Sequence, residues 1–133
     1  MVQKIRSICK RENVRRDYAF IDQITRAARS ISANIAEGND ALSTLEFIVF
    51  LGHAKRSAAE VRSHLYDAID EQYISKEEFV VLNEQIKKIC SMLAKLIHYL
   101  QTLDSKKKRT VSFKSRETIN EPTNQLTNVS LIV

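Results

Sequence analysis

Two series of polar side chains at helical spacing carry what chemistry this sequence offers. Arg26, Ser30, Asn34 and Glu37 recur at intervals of four, four and three residues, so one helix would set them on one face. His53, Ser57, Glu60 and His64 repeat the pattern further along. Guanidinium, hydroxyl, amide and carboxylate groups arranged this way suit a ligand site or an interhelical network that fixes register. Antiparallel pairing about a turn near residues 40–41 brings together residues whose numbers sum to about 86. Arg26 then faces Glu60, Ser30 faces Ser57, and Asn34 faces His53. The expected reading is a structural polar network of Arg26, Ser30, Asn34, Glu37, His53, Ser57 and Glu60.

Other chemistries find less support. A di-metal carboxylate bundle uses paired Glu-x-x-His elements, whereas Glu60 and His64 stand four apart and the motif occurs once. No metal and no cofactor are therefore expected. Cys90 falls between apolar helix positions and reads as a small core residue, and neither it nor Cys9 has a cation or histidine placed to activate a thiolate. There is no phosphate-cradling loop, nucleophile elbow or dinucleotide fingerprint. A non-enzymatic protein is the expectation.

Basic groups remain. The net charge is +5, but it is unevenly spread. Residues 17–104 hold nine Lys or Arg against thirteen Asp or Glu, and the flanks hold twelve against three, so the body is net −4 and the ends net +9. Arg26, Arg29, Lys55, Arg56 and Arg62 are candidates for a nucleic-acid patch where the second and third helices meet. Lys106, Lys107, Lys108 and Arg109 add a second cluster, suited to phosphate contacts that position without reading sequence.

The elements that must position these groups are helical. Two glycines and one proline in 133 residues leave little for tight turns and hairpins. Residues 2–10 predict a short helix with Ile5, Ile8 and Cys9 on its apolar edge. A second helix over about 17–37 carries the seam Ile21, Ile24, Ala28, Ile31 and Ile35. Gly38 follows as a helix stop in the left-handed conformation. Ser43 with Glu46 and Ser75 with Glu78 are capping boxes that open a third and a fourth helix. These run to about Gln72 and Leu103, the last on the seam Phe79, Leu82, Ile86, Ile89, Leu93, Leu96, Leu100 and Leu103. Short links force antiparallel neighbours. The expected fold is all-α, an up-down antiparallel four-helix bundle with a short first helix over 1–104, and a basic, polar, disordered tail over 105–133. The short first helix leaves apolar surface over, which points to self-association. No run is long enough to cross a membrane and no leader is evident, so a reduced, cytoplasmic chain with no membrane partner is expected.

The run Arg26-Ala-Ala-Arg-Ser-Ile-Ser-Ala-Asn-Ile-Ala-Glu-Gly38 resembles the signature of the four-helix-bundle family encoded in intervening sequences of bacterial large-subunit ribosomal RNA genes. The resemblance continues through Ser43-Thr-Leu-Glu-Phe47, Ala54-Lys-Arg-Ser-Ala-Ala-Glu60 and Tyr73-Ile-Ser75, and covers about residues 18–103. Ser32 stands where the family usually has proline, and Asn39–Leu42 lacks the frequent Gly-Arg-rich turn. The family implies a compact bundle, often a ring-like homopentamer, with no established enzyme activity. A distant relative by fold is the accessory protein of diversity-generating retroelements, which binds nucleic acid and a reverse transcriptase. The expectation for this chain is a self-associating bundle that binds RNA or a nucleoprotein partner through basic patches. The alternatives are a protein-interaction scaffold without nucleic acid and an accessory subunit of a reverse transcriptase.

Overall fold

The structure is a computed structural model that describes residues 1–120, with side chains to 116. The expected Thr/Asn/Gln-rich run over 117–128 lies outside those residues from 121 onward, Pro122 included, as does the apolar Leu131–Val133 tip. All regular structure among the described residues is helical: α1 (Val2–Cys9), α2 (Tyr18–Asn39), α3 (Thr44–Asp70) and α4 (Lys76–Asn120). The chain divides into two compact units, Met1–Gln101 and Thr102–Val133.

Local chemistry sets most helix ends. The Asp17 carboxylate accepts from the Phe20 amide at 3.1 Å and opens α2. Ser43 Oγ accepts from the Glu46 amide at 3.1 Å, while the Glu46 carboxylate reaches back to the Leu42 amide at 3.3 Å. At α4 the box is reciprocal: Ser75 Oγ accepts from the Glu78 amide at 3.1 Å and Glu78 accepts from the Ser75 amide at 3.0 Å. Helix α3 ends in a Schellman motif. The Tyr73 amide donates to the Ala68 carbonyl at 2.8 Å and the Gln72 amide to the Ile69 carbonyl at 3.1 Å. Gln72 takes the left-handed position at φ 58°, where glycine is the usual residue.

Gly38 does not stop α2. The helix runs through it to Asn39, and neither glycine has positive φ. Its role is close approach. A Cβ at Gly38 would lie 2.7 Å from Phe47 Cδ2 and 2.9 Å from Phe50 Cβ, so the absent side chain lets α3 lean on the end of α2.

Within Met1–Gln101 the core has a larger and a smaller part. In the larger, Ile5 and Ile8 of α1 and Val14 of the connector pack with Phe20, Ile24, Ala28 and Ile31 of α2, Val61 and Leu65 of α3, and Leu82 and Ile86 of α4. In the smaller, Leu51, Ala54 and Leu93 pack with Phe47, Ile97 and Leu100. The antiparallel register shows in the Tyr66–Phe79 ring pair, 4.9 Å between centroids, and in the Ser30–Ser57 contact across α2 and α3.

The division of the core follows from helix length. At 1.5 Å per residue, eight-residue α1 spans about 12 Å and 22-residue α2 about 33 Å. The first helix therefore roofs one end only. Ile35 and Leu96 continue the apolar seams of α2 and α4 beyond it, and each is 36% exposed rather than buried as their spacing predicts. Met92 and Tyr99, one turn to either side of Leu96 on α4, are 62% and 59% exposed. This uncovered flank is a property of the monomer, and burying it would be favourable.

Helix α4 also departs from expectation beyond Asp104, where a disordered tail was predicted and helix continues to Asn120. The stretch has no glycine or proline, and Lys and Arg are good helix formers. Lys108 pairs with Asp104 one turn earlier at 2.8 Å, and the Thr110 and Ser115 hydroxyls donate to carbonyls four residues back.

Candidate nucleic-acid interface

Part of the expected polar network assembles. Ser57 Oγ donates to Ser30 Oγ at 2.9 Å across α2 and α3, and Asn34 Nδ2 donates to Ser30 Oγ at 3.0 Å and to its carbonyl at 2.8 Å. Ser57 is buried and Ser30 and Asn34 are half-buried, so the three satisfy one another inside the helix pair. The other members do not join. Arg26 pairs with Asp22 on its own helix at 2.7 Å and not with Glu60. Glu60 instead lies 3.8 Å from His64 Nε2, whose Nδ1 meets Asp67 at 3.3 Å. His53 is exposed, its ring 6.2 Å from that of Phe50, and Glu37 is exposed. An acid one turn away on the same helix costs less chain ordering than one across the interface, which accounts for the choice Arg26 makes.

The five cations expected to cluster between α2 and α3 stand in different surroundings. Arg26 and Arg29 are exposed on α2 and line a groove of about 370 Å³ with Tyr18, Ile21, Asp22 and Thr25. Asp22 pairs with Arg26 there, and Arg29 makes no ion pair among the described residues. Arg62 lies one turn before Tyr66, the residue that stacks on Phe79 of α4, and is turned about 140° around α3 from Ser57. It is half-buried, and its Nε is sequestered with no partner among the described residues. Lys55 and Arg56 are exposed. In the second unit Lys106, Lys107, Lys108 and Arg109 are all exposed along helix.

One polar cluster has no counterpart in the sequence reading. The Arg11 guanidinium forms a two-pronged ion pair with Glu78, one prong at 3.0 Å, and donates to the Tyr73 carbonyl at 3.0 Å. The Tyr73 hydroxyl donates to Asp17 at 2.7 Å, and Asn13 Nδ2 donates to the Gln72 carbonyl at 3.3 Å. The cluster ties the α1–α2 connector to the α3–α4 turn. Arg11, with help from the Ser75 amide, holds the Glu78 carboxyl down at about 2. The Phe20 amide and then the Tyr73 hydroxyl hold Asp17 below the usual carboxylate range, and the same hydrogen bond pushes the Tyr73 hydroxyl up. The visible signal was the Ser75–Glu78 box. Its partner Arg11 is 67 residues away and carries no local mark.

Burial raises the Cys9 thiol above its ordinary value, which disfavours the thiolate. Among the described residues no three His, Cys, Asp or Glu side chains converge as a metal site would need, and no helix is long and apolar enough to cross a membrane.

A family model described as 23S rRNA-intervening sequence protein matches residues 1–95. Among solved structures, a protein of unknown function from the S23 ribosomal protein family of Bacteroides thetaiotaomicron is 28% identical. The match covers 72% of this chain and 87% of that one, with a TM-score of 0.66. No curated protein matches. Neither description names a catalytic activity. A helical bundle with a short first helix, the Ser30–Asn34–Ser57 contact on the signature segment, and a family match over 1–95 lead to one assignment: the chain belongs to the 23S rRNA-intervening sequence protein family.

Proposed function

We propose that this chain is a non-enzymatic bundle that self-associates through the flank left open by α1 and binds RNA or an RNA–protein partner through its exposed cations. The observation that carries the reading is the pairing of two unsatisfied surfaces. Ile35, Met92, Leu96 and Tyr99 are exposed apolar residues that a second copy would bury, and Arg29, Lys106, Lys107 and Arg109 are exposed cations that make no ion pair among the described residues. Repetition of the bundle in a ring, with five copies the expectation from the family resemblance, would sum the fields of these cations. The name of the family ties its members to ribosomal RNA genes, which makes RNA the favoured polyanion and the cytoplasm the favoured compartment.

Light scattering together with retention on an immobilised RNA column tests the reading. The expected result is an oligomer that is retained at low salt and released as salt rises. A monomer that passes straight through would refute it. An oligomer that ignores RNA would establish the alternative, an interaction scaffold whose apolar flank serves proteins alone.

A further inference from the structure

Within the second unit, α4 carries a shallow groove of about 370 Å³ lined by Lys108, Arg109, Ser112, Phe113 and Arg116. Phe113 is 64% exposed, although a phenyl ring is surface that folding normally buries. Among the described residues no acid lines the groove. Lys108 is held by Asp104, but Arg109 and Arg116 make no ion pair among the described residues. Arg109, Phe113 and Arg116 fall at i, i+4 and i+7, a single row on one helix face, with the two cations about 6 Å and 4.5 Å along the axis on either side of the ring.

We propose that this row is a stacking site for an unpaired base of single-stranded RNA, with the ring of Phe113 under the base and the two guanidinium groups on the flanking phosphates. The inference rests on the RNA-binding reading above and gives it a specific determinant. An exposed aromatic between exposed cations meets both demands of a single strand, a π-face to lie on and charge along the backbone. A closed duplex offers no base face to the ring. A lipid surface suits it less well. Val111, the other strongly exposed apolar residue among those described in the stretch, lies nearly opposite Phe113 around the helix, so the described residues offer no continuous apolar face to insert.

The test uses the full chain and fluorescence anisotropy with two probes, a labelled short oligoadenylate and a blunt RNA duplex of matched charge, beside vesicles of phosphatidylglycerol. Phe113→Ala should weaken oligoadenylate binding roughly tenfold and leave duplex binding unchanged, and Phe113→Tyr should restore it. Arg109→Ala with Arg116→Ala should flatten the salt dependence for oligoadenylate by a slope of about 1.4. All three side chains are exposed, so unchanged helical circular dichroism is expected throughout. Equal loss for both RNA probes, no loss for either, or loss confined to vesicles would overturn the stacking site while leaving RNA binding standing. Failure of the unaltered chain to bind either RNA would overturn the functional reading and this site together.

Discussion

Replacing Gly38 by alanine sets two effects of opposite sign against each other. In the body of a helix, Gly→Ala gains about 1 kcal/mol from backbone entropy and propensity. Gly38 lies one residue from the end of α2, so a smaller part of that gain applies. Against it stands the new methyl, 2.9 Å from Phe50 Cβ and 2.7 Å from the ring edge of Phe47. The ring can swing aside, but a Cβ moves only with its backbone, so α2 and α3 must part by several tenths of an ångström. Overpacking of this kind costs about 1–3 kcal/mol. The steric term wins, and Gly38→Ala should destabilise the protein by about 1–2 kcal/mol. Gly52 supplies the internal control. It sits within α3, and a Cβ there meets nothing within 4 Å, so Gly52→Ala should stabilise by about 0.5–1 kcal/mol. Urea denaturation of both variants at one protomer concentration decides the matter. Stabilisation by Gly38→Ala would refute the close-approach account.

Other substitutions probe the remaining parts. Glu78→Gln removes the charge that Arg11 holds. The folded carboxyl lies at about 2, below its ordinary 4.5, so the pair's contribution is complete above pH 4.5 and fades as pH falls from there toward 2. Urea midpoints should therefore separate wild type from Glu78→Gln by about 1 kcal/mol at neutral pH, after solvent screening of this partly exposed pair, and converge in acid; a constant gap would count against the ion pair. Gln72→Gly relieves a left-handed glutamine in the Schellman turn and should add about 0.5–1 kcal/mol by the same denaturation; a loss would show that Gln72 contributes more than its backbone. Leu96→Glu places a charge on the uncovered flank and should shift light scattering toward the monomer with helical content intact; an unchanged mass would place self-association elsewhere.

What could be read in the sequence was local. Ser43–Glu46 and Ser75–Glu78 declare their helix starts because cap and capped amide are three residues apart. The α2–α3 register was legible to within one residue, as the Ser30–Ser57 contact shows, because a short link leaves two helices little freedom. The expected Arg26–Glu60 pair failed within that same register, since Asp22 one turn away competes for the guanidinium. Gly38 was misread because glycine serves two purposes, left-handed backbone and close approach. Only the position of Phe47 and Phe50 separates them. A lysine-rich run reads as a solvated tail by charge and as a helix by propensity, and beyond Asp104 propensity prevailed. The Arg11–Glu78 tie was beyond reach, because long-range polar pairs leave no periodic trace.

The most direct test of the central claim is the affinity of the full chain for one RNA fragment between about 50 and 200 mM salt. If exposed cations such as Arg29, Lys106, Lys107 and Arg109 engage three or more phosphates, the logarithm of the binding constant falls linearly with the logarithm of salt, with a slope steeper than about −2. A flat line, or no binding at the lowest salt, would contradict it.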